Sequence, residues 1–161
     1  MRVDGMAEAG KKTKDGASDG PGGIEGERIV QIRIDSRPET LRLVRAVVGE
    51  AAALCGCSEQ CVRDIVIAVD EACQNVIRHA YRGSPDGEIL IDIRRERDRI
   101  AFNIIDFADP VDLSKVKPRS LEELRPGGLG IHFISECMDE VRFRAPPAGA
   151  GNRLWMVKRI E

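Results

Sequence analysis

Residues 59–81, EQCVRDIVIAVDEACQNVIRHAY, form the longest stretch of the chain with a helical pattern of apolar side chains. Ser58 precedes this stretch and is predicted to cap a helix. Spacings of three and four give one continuous apolar stripe, which is expected to face a sheet: Val62, Val66, Val69, Cys73, Val76 and Ala80. The adjacent stripe is mostly polar, beyond what a structural helix needs: Asp64, Ala68, Glu71, Asn75 and Arg78.

Strand and helix patterns surround this central helix. Further helices are predicted at 36–54, with Ser36 and Glu39 as a capping box, and at 129–138. Strand patterns rich in β-branched residues lie at 29–34, 89–93, 100–104, 141–144 and 153–159. This order predicts an α/β (α+β) two-layer sandwich. In it, three helices cover one face of a mixed, mainly antiparallel sheet of about five strands.

Composition limits the domain count and the class of function. Residues 1–26 have almost no aliphatic side chains and are predicted to be a disordered tail, which leaves 27–161 as one domain. The formal net charge of -2 argues against direct binding of nucleic acid. No apolar run is long enough for a membrane span or a signal peptide, so we expect a cytoplasmic protein. The five cysteines are then expected to be free thiols and small, partly buried residues.

Two polar residues of the central helix suit a metal-assisted reaction. Glu71 and Asn75 are four residues apart and therefore share one helix face. An amide oxygen is a ligand that Mg²⁺ accepts together with substrate phosphates, and the neighbouring carboxylate can act on a nucleophile. The alternative interpretation of this pair is a solvated polar face.

Two more clusters have similar ambiguity when each is taken alone. Asp106 ends an apolar strand, where its carboxylate can accept a hydrogen bond from an amino group or simply start a turn. The run Gly127-Gly128-Leu129-Gly130 precedes a helix, where backbone N–H groups can approach an anion. A flexible loop that leads into a helix cap is the alternative there. The long irregular segment between the two clusters is predicted to be a lid.

Together, the three clusters resemble the histidine-kinase-like ATPase superfamily, and specifically its small stand-alone members, the anti-sigma serine/threonine kinases of bacterial partner switches. Glu71-Ala72-x-x-Asn75-x-x-x-His79-Ala80-Tyr81 is similar to the N-box of that family. Asp106 matches the aspartate of its first glycine box, 127–130 matches the second, and 152–158 is similar to its last strand. The resemblance covers residues 28–160 and implies a Bergerat ATP-binding fold.

The resemblance implies a role for each matched residue. Asn75 is expected to ligate Mg²⁺, and Asp106 to recognise the adenine amino group of ATP. Arg78 or His79 is expected near the phosphates, and Glu71 is the expected general base for a serine or threonine hydroxyl of a partner protein. The remaining nucleotide-binding positions implied by the match are Ala108, Gly127, Gly128, Leu129 and Gly130.

One departure from the family pattern leaves two functions open. Ala108 and Pro110 stand where the first glycine box has glycines, so a Cβ is expected to crowd the adenine and a backbone donor is lost. The leading hypothesis is an ATP-dependent anti-sigma factor that phosphorylates an anti-anti-sigma antagonist and sequesters a sigma factor. The alternative is a non-catalytic ATP-binding module that only sequesters a partner protein. The family also implies that Arg42 or Arg45 meets the antagonist, and that the chain forms a homodimer.

Overall fold

The computed structural model describes residues 26–110, 112 and 129–160. The predicted disordered tail, apart from Gly26, lies outside these residues, as do Gly127 and Gly128. No helix within the described ranges is long and apolar enough to cross a bilayer.

The described residues form a five-stranded sheet and three α-helices. The helices are α1 (Leu41–Leu54), α2 (Glu59–Asn75) and α3 (Leu129–Cys137), with a 3-10 turn at Pro38–Thr40 and a π-helical turn at Val76–Ala80. The strands are β1 (Glu27–Asp35), β2 (Glu88–Glu96), β3 (Arg99–Asp106), β4 (Glu140–Phe143) and β5 (Asn152–Arg159). They lie in the order β1-β2-β3-β5-β4, and every pair is antiparallel. The predicted α+β sandwich is therefore confirmed.

The core lies between the sheet and the helices. Alternation along each strand sends one set of side chains toward the helices, because successive residues point to opposite faces. One such row crosses four strands through Ile32, Ile91, Ile104 and Leu154. The helices meet it with fully buried side chains such as Ile65 of α2. Burial of each such aliphatic side chain contributes about 1.5–3 kcal/mol to the free energy of folding. The site residues are therefore attached to a stable core.

Helix α2 lies between the other two helices, and this position changes which of its faces is buried. The Ser58 hydroxyl accepts a hydrogen bond from the Cys61 N–H, which confirms the predicted cap. The prediction of a single sheet-facing stripe was wrong, since the buried set is Cys61, Ile65, Ala68, Val69, Ala72 and Cys73. Val62 and Val66 are only half-buried and lie beside Gly49 of α1. Because α2 contacts α1, α3 and the sheet, its buried surface is a wide arc that includes Ala68.

The predicted capping box at Ser36 was also wrong. The buried Ser36 hydroxyl donates to the Ser84 carbonyl and accepts from the Gly87 N–H at 3.1 Å. It therefore ties the loop before β2 to the end of β1, and α1 begins only at Leu41. A hydroxyl can satisfy either local or distant backbone groups, and here the distant loop supplies both partners.

The cysteines are free thiols. Cys55, Cys61 and Cys73 are buried, whereas Cys57 and Cys137 are half-buried. Burial, and then a hydrogen bond with Cys61, raises the pKa of Cys57 to about 12, so this thiol stays protonated at neutral pH. Over the part of the chain that the structure describes, no group of three His, Cys, Asp or Glu residues could hold a metal ion.

Candidate functional site

A cavity of ≈ 210 Å³ lies between the helical layer and the β3-β5-β4 side of the sheet. Most of its walls are apolar and come from α2, α3 and the strands. Its polar side chains are few, and they are Asn75, His79, Asp106 and Asn152. An apolar cleft with a few convergent polar groups is typical of a small-molecule site, although this one is smaller than the roughly 300–1,000 Å³ of drug-sized pockets. Its size is therefore suited to a part of a ligand rather than to a whole drug-sized molecule.

Asp106 is the acidic group of this cavity. It ends β3 and is 4% exposed. Asn152 Nδ2 donates to its Oδ1 at 2.9 Å, and the Ala108 N–H donates to the same oxygen at 3.0 Å. Burial raises the pKa of the Asp106 carboxyl, and the two hydrogen bonds oppose this change by favouring the charged form. Within the described residues no hydrogen bond reaches Oδ2, so this oxygen remains available to a ligand donor.

Glu71 and Asn75 meet the start of α3 beside the cavity. A Cβ on Gly130 would lie 2.1 Å from Glu71 Oε1 and 3.1 Å from Asn75 Nδ2. A larger residue here would displace the Glu71 carboxylate, so the glycine lets the start of α3 approach both side chains closely. Neither Glu71 nor Asn75 forms a side-chain hydrogen bond with another described residue, which leaves a carboxylate and an amide free for a ligand. The side chain of Leu129 lies outside the described part.

The π-helical turn separates the two basic candidates. The Tyr81 N–H donates to the Val76 carbonyl at 3.0 Å, which closes the wider turn. His79 lines the cavity, whereas Arg78 lies in a separate groove and donates to Gln74 Oε1. Single π turns often occur at functional sites. Of the two residues expected near the phosphates, the structure brings only His79 to the cavity.

The turn that replaces the first glycine box is held closely by β5. The Gly151 N–H donates to the Asp106 carbonyl at 2.8 Å, and a Cβ on Gly151 would lie 1.8 Å from the Ala108 carbonyl oxygen. Ala108 does not line the cavity, and Pro110 is exposed. The Cβ of Ala108 thus lies outside the cavity that it was expected to crowd.

Three residues of this region were not among the predicted site residues. Asn152, Gly151 and Tyr81 all contact the segment 106–109. The contact of Asn152 follows from strand pairing, because Asp106 lies directly opposite Asn152 in the β3–β5 register. A strand order of β3 beside β5 cannot be derived from local patterns. The signals present were a small polar side chain immediately after a glycine, and its place at the start of the stretch that is similar to the last strand of the family.

The chemistry of the described side chains suits ATP and Mg²⁺. Asp106 offers a free acceptor and Asn75 an unbonded amide, and both line the same apolar cavity. The start of α3 approaches Glu71 and Asn75 through a glycine, as a phosphate-binding helix start requires. An apolar cavity with an acidic acceptor, beside a Glu–Asn helix face, on a helix-covered antiparallel sheet defines a nucleotide-binding α/β sandwich of the histidine kinase-like class.

Comparison with known proteins identifies the family. The family model described as the histidine kinase-like ATPase domain matches residues 34–158, and the chain belongs to this family. The serine-protein kinase RsbW of Oceanobacillus iheyensis is 31% identical over 121 residues, which are 70% of this chain and 77% of that protein. The serine-protein kinase RsbW of Bacillus subtilis is 28% identical over 121 residues, which are 70% of this chain and 76% of the relative. These matches confirm the resemblance to the anti-sigma serine/threonine kinases.

A solved structure has the same fold. The crystal structure of the RsbU and RsbW domains of a Mycobacterium tuberculosis protein matches with a TM-score of 0.58 at 21% identity. The match covers 81% of this chain and 31% of that longer chain, so this chain spans about a third of its length. At this identity the likeness concerns the fold alone.

Proposed function

We propose that this chain binds ATP with Mg²⁺ and is an anti-sigma factor that phosphorylates a serine or threonine of an anti-anti-sigma antagonist and sequesters a sigma factor. The observation that carries the proposal is the meeting of Glu71, Asn75 and Gly130 beside a cavity that contains Asp106. The serine-protein kinases among its relatives support the same activity.

The adenine end of the proposed site depends on Asp106. Its Oδ1 already accepts two hydrogen bonds, so Oδ2 is the oxygen that accepts from the adenine amino group. The apolar walls, including Ile104, Ile134 and Leu154, enclose the faces of the base. Because the carboxylate is buried, a hydrogen bond to it is stronger than it would be in water.

The phosphate end depends on Asn75 and the start of α3. The Asn75 amide oxygen would hold Mg²⁺, and the backbone N–H groups at the start of α3 would bind the phosphates, because a helix carries a partial positive charge at its start. His79 also lines the cavity. ATP supplies the γ-phosphoryl group, and positioning with charge neutralisation accounts for most of the rate in such transfers.

Glu71 is the proposed general base. It is half-buried and has no hydrogen bond to the rest of the described chain, so its carboxylate is free to accept the proton of an incoming hydroxyl. The partner that brings this hydroxyl would meet the exposed ends of α1 and α2. There Arg45 forms an ion pair with Asp70 at 2.8 Å, one residue before Glu71. A homodimer in the cytoplasm is part of the same proposal.

A non-catalytic ATP-binding module is the second candidate. Ala108 and Pro110 in place of glycines favour it, because they depart from the family pattern near the adenine. The two candidates differ at Glu71, which only the kinase needs.

The test combines nucleotide binding with phosphoryl transfer. Calorimetric titration of ATP with and without Mg²⁺ is expected to show Mg²⁺-dependent binding that Asn75→Ala removes. Gln60→Ala is the matched control, since it deletes an exposed amide from the first turn of the same helix. Glu71→Gln is expected to keep binding and to slow transfer to the antagonist by roughly 10²–10⁴-fold. Binding without transfer in the wild type would establish the second candidate, and no binding at millimolar ATP would refute both.

A further inference from the structure

We propose that Tyr81 and Asn152 are positioning residues that hold the 106–109 turn from two sides and aim the free carboxylate oxygen of Asp106 into the cavity. The inference rests on the proposed binding of ATP and deepens it, because it assigns discrimination of the base to two residues for which the resemblance gives no role. In the following, this arrangement is called the turn clamp.

The Asn152 side of the turn clamp acts on the carboxylate and on the end of the turn. Its single amide nitrogen donates to Asp106 Oδ1 at 2.9 Å and to the Asp109 carbonyl at 3.2 Å. Asn152 is itself buried, and it lies opposite Asp106 in the pairing of β3 with β5. One carboxylate oxygen is thereby occupied, and the rotation of the carboxylate about its Cβ–Cγ bond is restricted. The other oxygen is left for the ligand.

The Tyr81 side acts on the backbone. The Phe107 N–H donates to the Tyr81 hydroxyl at 2.9 Å, and this hydroxyl donates to the Glu88 carbonyl at 2.6 Å. Tyr81 therefore connects the residue that follows Asp106 to the first residue of β2. Since Tyr81 also ends the π-helical turn after Asn75, the same side chain links the α2 end of the site to the Asp106 end.

The turn clamp explains how the turn forms without its glycines. Ala108 donates its N–H to Asp106 Oδ1, and the Ala108 carbonyl lies against Gly151, where only a glycine leaves room. The glycine that allows the close backbone approach is Gly151, directly before β5, and it does not lie within the turn itself. A turn of ordinary residues is thus fixed by its neighbours on both sides, and backbone freedom within 106–109 is not required.

The experiment compares ATP with inosine triphosphate, which has an oxygen in place of the adenine amino group. We expect the wild type to prefer ATP. Asn152→Leu removes the donor and keeps a side chain of similar size. It is expected to lower the preference for ATP, which is the Kd of inosine triphosphate divided by the Kd of ATP, roughly tenfold, the usual effect of one lost charge-assisted hydrogen bond. Tyr81→Phe should also lower the preference for ATP. Phe143→Leu is the matched control, because it trims a half-exposed cavity wall and should weaken both nucleotides alike.

Amide exchange of the ligand-free protein gives an independent readout. Tyr81→Phe should speed exchange at Phe107, and Asn152→Leu should speed it at Ala108. An unchanged nucleotide ratio in a folded variant, or equal weakening of both nucleotides, would overturn the turn clamp and leave the proposed ATP binding intact. A wild type that binds neither nucleotide would overturn both. Each variant decides the matter alone if the other fails to fold.

Discussion

Gly130→Ala tests whether the start of α3 must touch the face of α2 that carries Glu71. The added methyl group would lie 2.1 Å from Glu71 Oε1, 2.9 Å from Glu71 Cδ and 3.1 Å from Asn75 Nδ2. A carbon atom and an oxygen atom that are not bonded prefer a separation of about 3.5 Å, so the carboxylate must move by more than about 1 Å. The Glu71 side chain is flexible and can turn away.

The effect on stability should be small. A glutamate forced out of its preferred rotamer destabilises the fold by about 0.5–1.5 kcal/mol, and alanine in place of glycine in a helix stabilises it by up to about 1 kcal/mol. The midpoint of thermal unfolding should therefore change by no more than about 4 °C. Phosphoryl transfer should fall roughly 100-fold or more, because the general base leaves its position. The assay follows transfer of labelled phosphate from ATP to the antagonist, together with thermal unfolding.

Gly49→Ala is the control for this experiment. A Cβ on this helical glycine of α1 would meet Val66 at 3.6 Å and Val62 at 3.9 Å, which are ordinary contacts. It should stabilise the protein by about 0.5–1 kcal/mol and leave transfer unchanged. A Gly130→Ala protein with normal transfer would refute the reasoning, since the methyl group would then fit without displacing Glu71.

Three further substitutions test the site and the core. Because burial raises the pKa of the Asp106 carboxyl, acidification should weaken ATP binding at a higher pH than it would with an exposed aspartate, and Asp106→Asn should remove this contribution to the pH dependence, measured by titrations of both proteins at a series of pH values. The raised pKa also means that the ionised carboxylate destabilises the fold, and this cost appears as pH rises through the folded pKa, so the same substitution should raise the melting temperature at pH 7. Ala108→Gly should leave ATP affinity within about threefold, since Ala108 does not line the cavity; markedly tighter binding would show that its Cβ obstructs the base. Ile65→Ala should lower the free energy of unfolding by about 2–5 kcal/mol in urea denaturation, because Ile65 is fully buried.

Local sequence patterns were sufficient to predict the helices and strands. Contacts between residues far apart in the chain could not be predicted from such patterns. The alternation of Ile89, Ile91 and Ile93 and the cap at Ser58 depend on neighbours in the chain, and both predictions were confirmed. Ser36 was assigned to the wrong partner because a loop about fifty residues away competes for its hydroxyl. Ala68 was assigned to the polar stripe because helices on both sides of α2 cannot be inferred from its own period.

The candidate site shows the same division. The spacing of Glu71 and Asn75 alone predicts that they share a helix face, and in the structure both side chains lie beside Gly130. Asp106 was selected by its place at a strand end, and it lines the cavity. Asn152 was missed because its role depends on the pairing of β5 with β3, which places two strands separated by α3 and β4 side by side.

The π-helical turn at Val76–Ala80 changes the direction in which the side chains after it point, relative to those before it. One residue more than an α-helical turn rotates everything after it by about 100° relative to the residues before it. Glu71 and Asn75 keep the phase set by the packing of α2, whereas His79 and Tyr81 follow the shifted phase. Deleting one residue from this turn would therefore swing the Tyr81 hydroxyl away from Phe107 and leave Glu71 and Asn75 where they are. A change of length in this turn would therefore alter the contacts that hold the proposed base-binding end, while the proposed phosphate-binding residues Glu71 and Asn75 keep their orientation.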